Sequence, residues 1–315
     1  MPMDDEAPPP GFAERIVPVI MNDKAGALLG QTDAGEKLQA LLTNAGMTPK
    51  LIPTDAGTLD ERIGLAIATG AKLIVVAGGD GSIACAAQAL VGTGVTLGIL
   101  PSGTMNLLAK DLGIPVDDPD AAMRLIAAGT TREIDVAEVN GRVFLCASML
   151  GLPAHLGRHR EAQRGAGTWI GRWVRFARAA LNTSWTHAAR TMLLRVGGTA
   201  MPSRAVSVTI TANALGDNTG RTFGRPNLDR GEIAVYVIDR LGFLALVRLA
   251  IAAMRGHVRE AADVREHRAT EVVLETRQAA VRVMNDGENL LIAPPLRYRI
   301  RPRSLRVIAP EATPA

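Results

Sequence analysis

At 315 residues, with 47% hydrophobic and 21% charged residues and a net charge of +4, the chain has globular composition and room for two domains. That balance excludes disordered and fibrous classes. The two cysteines, Cys85 and Cys146, lie inside apolar runs, which argues against a disulfide framework and for a reducing compartment.

The opening stretch, residues 1–11, is acidic and proline-rich and reads as a disordered tail rather than a leader peptide. Residues 12–135 then alternate strand and helix. RIVPVIM reads as the first strand, followed by the loop Asn22-Asp23-Lys24-Ala25-Gly26 and a helix from about Asp33 that ends before Gly46. A short strand, Lys50 to Pro53, reaches Thr54, and a helix follows through Ala68.

Lys72 to Ser82, KLIVVAGGDGS, organises this half. Leu73 to Ala77 run without alternation, as in a strand buried on both faces of a parallel sheet. They lead into Gly78, Gly79, Asp80 and Gly81, and Ser82 is expected to open the next helix. Such a turn can be a plain connection. It is also a natural phosphate cradle, because bare amides and the helix dipole favour an anion. Ser82 could cap the helix or touch a phosphate oxygen. Asp80 would repel a phosphate unless a divalent cation lay between them, so it is a candidate metal residue.

Strand Thr96 to Leu100 runs into Pro101-Ser102-Gly103-Thr104-Met105-Asn106, a second phosphate-friendly loop, with a helix continuing to Gly113. Asp118 and Pro119 start another helix. Repeated β-α units imply an α/β domain with a doubly wound parallel sheet, whose ligands sit at the carboxyl ends of the strands.

Near Ile134 the pattern changes. Asn140-Gly141 between two apolar runs signals a hairpin, and short strand-like runs follow at 190–196, 205–212, 232–238, 271–275, 279–284 and 297–301. Residues 136–303 therefore read as a mainly antiparallel β domain interrupted by a helix at 241–255. Residues 304–310 could return to complete the first domain. Asn285-Asp286-Gly287-Glu288 reads by itself as an ordinary β-turn.

Between Arg158 and Arg195 lie eight arginines (158, 160, 164, 172, 175, 178, 190 and 195), one acidic residue, Glu161, and all three tryptophans. On a helix, Trp169, Ile170, Trp173 and Val174 share one face, while Arg172, Arg175 and Arg178 fall opposite. Such a helix could pack on its own domain with solvated arginines, or lie at an anionic membrane surface. The patch carries no nucleic-acid recognition motif.

GGDGS at 78–82 and PSGTMN at 101–106, one helix and one strand apart, resemble the diacylglycerol kinase catalytic family, which includes sphingosine and ceramide kinase relatives. The 22–26 loop resembles that family's first nucleotide loop, Thr54 sits at its nucleotide-contacting threonine, and Asp286-Gly287-Glu288 matches its late Asp-Gly-Glu. The resemblance implies a nucleotide cleft between the two domains and transfer of the γ-phosphoryl group of ATP to a membrane lipid hydroxyl, with Mg²⁺ as cofactor. Diacylglycerol is the expected acceptor; a ceramide or sphingoid-base kinase, or a non-catalytic nucleotide- or lipid-binding relative, are the alternatives. It implies nucleotide contacts by Asn22, Lys24, Gly26, Thr54, Gly78, Gly79, Asp80, Gly81, Ser82, Ser102, Gly103, Thr104 and Asn106. Asp286 or Glu288 would take the hydroxyl proton. A cytoplasmic enzyme visiting the membrane through Trp169, Trp173, Arg172, Arg175 and Arg178 would suit such a substrate.

Three positions depart from the family pattern. Leu107 stands where an aspartate often follows the second-loop asparagine, and Asp23 stands where proline is common. Arg230 replaces an aspartate associated with a structural Mg²⁺, leaving Asp229 as its substitute.

Overall fold

The computed structural model describes residues 16–22, 34–151, 190–216, 224–239 and 264–311. The tail, Lys24, Gly26, the arginine-tryptophan helix with Trp169, Arg172, Trp173, Arg175 and Arg178, and the helix expected at 241–255 lie outside the described residues. The chain divides into two compact units, Met1–Val136 with Pro302–Ala315, and Ala137–Arg301.

The first unit runs β1 (Ile16–Met21), α1 (Ala34–Asn44), β2 (Thr48–Ile52), a 3₁₀ turn (Thr54–Ala56), α2 (Leu59–Ala68), β3 (Leu73–Gly78), α3 (Asp80–Leu90), β4 (Thr96–Pro101), α4 (Leu107–Asp111), α5 (Pro119–Ala128) and β5 (Thr131–Val139). Strands β2, β1, β3 and β4 are neighbours in that order and all parallel. The end of the last strand, β16 (Leu296–Ile308), joins β4 in parallel through Arg306 and Val307. Every residue of β3 and β4 is buried, as the unbroken apolar runs require. Helices cover the sheet in two pairs, α2 with α3 and α1 with α5. The direction of winding reverses between β1 and β3, which puts the crevice of a doubly wound sheet at their carboxyl ends.

Local sequence sets the helix limits. Thr58 and Glu61 form a reciprocal capping box at the start of α2. The Asp118 side chain accepts the Ala121 N–H before α5, with Pro119 in the first turn. Gly46 and Gly113 follow α1 and α4 in the left-handed region (φ 74° each). One expectation changes: α3 begins at Asp80, with Gly79 as its N-cap, so Ser82 lies inside the helix and does not cap it.

The second unit holds β6 (Arg142–Phe144), β7 (Ala147–Gly151), β8 (Arg190–Val196), β9 (Thr199–Ala205), β10 (Ser207–Ala212), β11 (Ile233–Ile238), β12 (Val264–Ala269), β13 (Glu271–Glu275), β14 (Val281–Asn285) and β15 (Glu288–Ile292), then the first part of β16. Six strands pair antiparallel in the order β12-β11-β10-β7-β14-β15. A second antiparallel set runs β16-β13-β8-β9. Their facing side chains form one core: Phe144, Leu194, Val272 and Tyr298 from one layer, Val208, Ile210, Val235 and Val283 from the other. Phe144 and Tyr298 meet edge to face, with centroids 6.1 Å apart.

Asn140 (φ 47°) and Gly141 (φ 81°) form the expected two-residue turn between β5 and β6. The apolar run after that turn is not one strand, however. It breaks at Leu145 and Cys146, and β6 and β7 enter different sheets.

Candidate functional site

The carboxyl ends of β2, β1, β3 and β4 bring four predicted stretches side by side: Thr54 after β2, Asn22 after β1, Gly78–Ser82 after β3 and Ser102–Asn106 after β4. The Asn22 backbone N–H donates to Ala77 O at 2.9 Å, and its side-chain Nδ2 donates to Ser82 Oγ at 2.7 Å. That bond ties the first loop to the first turn of α3 across the reversal point. Thr54 is exposed in its 3₁₀ turn.

The two glycine-bearing loops touch directly. The Ser102 N–H donates to Gly78 O at 3.0 Å, carrying the strand pairing one step beyond β3 and β4. Beyond it the Gly79 and Gly103 backbones pack together. A Cβ on Gly103 would lie 2.5 Å from Gly79 Cα and 2.9 Å from Asn106 Oδ1. The second loop has no room for a side chain at Gly103, and at Gly79 a Cβ would lie 3.1 Å from Gly103 Cα and push the loops apart. Asn106, left-handed at φ 48° and buried, closes the second loop on itself. Its Oδ1 accepts the Gly103 N–H at 3.0 Å and its Nδ2 donates to Gly103 O at 2.8 Å. Thr104 is exposed at the loop tip, and the buried Ser102 Oγ has no hydrogen-bond partner among the described residues.

Asp80 is held between two helix starts. It lies in the first turn of α3, and its Oδ1 accepts the Leu107 N–H, the first residue of α4, at 2.7 Å. Burial pushes its carboxyl above the usual carboxylate range, while backbone N–H groups of Leu107, Asn106 and Leu108 pull it back. Gly79 contributes no side-chain acceptor to the N-terminus of α3, which leaves that end suited to an anion from outside the chain.

Arg62 escaped the sequence reading. Only 5% exposed, its Nη2 donates to Met21 O (2.8 Å) and Ile52 O (3.0 Å), clamping the ends of β1 and β2. The available signal was an arginine on the same helix face as Ile63 and Ala66.

In the second unit, Asp286 and Gly287 form the tight turn of the β14–β15 hairpin, both at positive φ (45° and 94°), with Asn285 opposite Glu288. The Asp286 carboxylate turns inward. Its Oδ2 accepts the Leu145 N–H at 2.6 Å, and its Oδ1 accepts those of Cys146 and Ala147 at 2.9 Å each. Those amides therefore bond to a side chain in place of a strand, which is why the run breaks there. Burial pushes this carboxyl up, the three N–H donors and the Arg225 guanidinium opposing. Glu288, by contrast, is exposed.

Asp229 is exposed, and the Arg230 N–H donates to Asn213 Oδ1 at 3.1 Å. Among the described residues no three acidic, histidine or cysteine side chains converge as a metal cage. Asp80 still suits a Mg²⁺ carried by a nucleotide, because that ion takes one or two carboxylates and fills its shell with phosphate oxygens and water. Cys85 is half-buried rather than buried, with its Sγ 3.0 Å from Asp60 Oδ1, and Cys146 is buried; neither is in a disulfide. No helix among the described residues is long and apolar enough to cross a membrane.

Residues 17–139 match the diacylglycerol kinase catalytic domain, and residues 155–309 match the YegS C-terminal NAD kinase beta sandwich-like domain. A diacylglycerol kinase of Mycobacterium tuberculosis is 36% identical over 90 residues, covering 29% of each chain. A Pseudomonas aeruginosa protein named as a probable YegS-like lipid kinase is 34% identical over 140 residues, covering 42% of each. These alignments thus span less than half of either relative. A crystal structure of a diacylglycerol kinase from Bacillus anthracis superposes with a TM-score of 0.70 at 22% identity, over 96% of this chain and 99% of that one, a likeness of fold.

Proposed function

The chain belongs to the diacylglycerol kinase family of lipid kinases, and from that premise we propose that it transfers the γ-phosphoryl group of ATP to the hydroxyl of a membrane lipid, with diacylglycerol as first candidate. The observation that carries this reading is the contact of Gly79 with Gly103 at adjacent strand ends, beside the Asn22–Ser82 bond. Two loops in contact, each with glycine and hydroxyl groups next to a helix start, offer a polyphosphate several amide donors at once.

In this reading Gly78–Ser82 and Ser102–Asn106 hold the phosphates, with Asn22, Lys24, Gly26 and Thr54 completing the nucleotide contacts. Ser102 Oγ, buried with no partner among the described residues, would gain one from the substrate. Mg²⁺ would supply neutralisation of the charge that develops on the transferred group, with Asp80 as its carboxylate. Glu288 is the proton acceptor and Asp286 its support, because all three N–H bonds to the Asp286 carboxylate are already spent on the backbone. The membrane contact is assigned to Trp169, Trp173, Arg172, Arg175 and Arg178 on composition alone.

The test is transfer from radiolabelled ATP to a panel of diacylglycerol, ceramide and a sphingoid base, products separated by chromatography. A labelled lipid supports the reading and names the acceptor. ATP binding without transfer to any of them replaces it with a non-catalytic nucleotide-binding relative. Flotation with anionic and neutral vesicles tests the membrane contact: equal recovery with both would remove it.

A further inference from the structure

We infer that Arg225 is a positioning residue for the acidic turn at 285–288, gripping from the carbonyl side the same backbone break that Asp286 grips from the amide side. The inference rests on the reading above, in which Glu288 acts on the acceptor hydroxyl.

Arg225 is 3% exposed. Its Nη1 donates to Leu145 O at 2.5 Å and to Ala212 O, the last residue of β10, at 2.9 Å, and its Nη2 lies 3.3 Å from Cys146 Sγ. Asp286 takes the N–H groups of Leu145, Cys146 and Ala147, and returns its own backbone N–H to Ala147 O at 2.9 Å. The segment between β6 and β7 thus has both its amides and its first carbonyl satisfied by two side chains of opposite charge. Arg225 is buried and Asp286 half-buried, so each gains from the other: an ion withdrawn from water without a counter-charge is costly.

The consequence reaches Glu288 through a short path. Asp286 and Gly287 hold the left-handed φ values of a two-residue hairpin turn, and Glu288 opens the strand directly after them. The effect of Arg225 is on where the turn sits. Removing its charge leaves the half-buried Asp286 carboxylate without its counter-charge, its hold on three amides weakened, and the carboxylate two residues on displaced. Displacements of this kind cost about a hundredfold in rate without altering the reacting groups.

The experiment uses the full chain with Arg225→Met, Arg225→Lys, Asp286→Asn and the Met/Asn pair. Arg225→Met is expected to lower kcat by about a hundredfold with KM for ATP unchanged within about twofold, and Arg225→Lys, which keeps the charge, to recover most of kcat. Backbone exchange of Leu145, Cys146 and Ala147 should quicken by about tenfold or more in Arg225→Met, with that of Gly103 unchanged. In unfolding, the pair should lose less than the sum of its single substitutions. Additive losses, or a folded Arg225→Met with unchanged kcat and amide exchange, overturn the inference. Should the unsubstituted protein label no lipid, the kinase reading fails, while exchange and additivity still decide the role of Arg225.

Discussion

The Asp80 carboxylate accepts the backbone N–H of Leu107 at 2.7 Å, joining the first turn of α3 to the first residue of α4. At the position where an aspartate side chain is common in the family, this chain presents an amide. Asp80 is therefore an anchor of the second loop and, in the proposed function, also the carboxylate that faces the phosphates. Asp80→Ala should lose the anchor, costing about 1.5–3 kcal/mol in denaturant unfolding, together with phosphoryl transfer. Asp80→Asn retains an acceptor for Leu107 and should cost less than about 1 kcal/mol while still abolishing transfer. Full transfer by Asp80→Asn would remove any role for its charge.

The same carboxyl sets a pH dependence. Its folded value is raised, so the native state binds more protons than the unfolded chain between the ordinary value of 3.8 and the raised one. Its contribution to stability is full below the unfolded value and is lost as pH rises through the folded value. Asp80→Asn should therefore make the slope of unfolding free energy against pH more positive just above pH 3.8. Urea unfolding at a series of pH values checks this.

Gly103→Ala should be worse than Gly79→Ala. The first places a Cβ 2.5 Å from backbone and the second 3.1 Å, so the loops must separate further in the first case. Overpacking of this kind costs about 1–3 kcal/mol, and ATP affinity measured by calorimetry should fall in the same order. Equal affinities in both variants would mean that the contact between the loops is not part of the nucleotide site.

Glu288 and Asp286 should separate in their effects. Glu288→Gln, at an exposed position, should change stability by less than about 0.5 kcal/mol and cut transfer by about 10²–10⁴-fold. Asp286→Asn leaves at least one of three N–H groups facing a donor, and should cost about 2–4 kcal/mol as well as activity. The reverse pattern would exchange the two roles.

Arg62→Met should lower stability by about 2–4 kcal/mol, because Met21 O and Ile52 O lose a shared donor inside the sheet edge. A change below about 0.5 kcal/mol would show that water replaces it.

The alternation of strand and helix, the order of the loops at the strand ends and the Asn140-Gly141 turn were all legible, because periodicity and turn chemistry are local. So was the glycine turn between β3 and α3, though not its frame: α3 starts two residues before Ser82, with Gly79 as a cap that makes no side-chain bond to mark it. The break at Leu145–Cys146 was hidden in an apolar run whose cause, Asp286, lies 141 residues from Leu145. Strand β12, VREHRA, is partly exposed along its length and shows no alternation to read. Arg62 and Arg225 read as surface charges until their backbone partners are seen.

Strand β16 supplies the last strand of the first unit's sheet after 165 residues, 137–301, have been spent on the other unit. During synthesis β4 emerges early and keeps one flank unpaired until Arg306 and Val307 leave the ribosome. For that interval the nascent chain carries a bare apolar edge, the kind of surface that invites chaperone capture or pairing with a stray strand. Translation arrested before residue 302 would yield a first half whose sheet is short of its closing strand, however well its loops were formed.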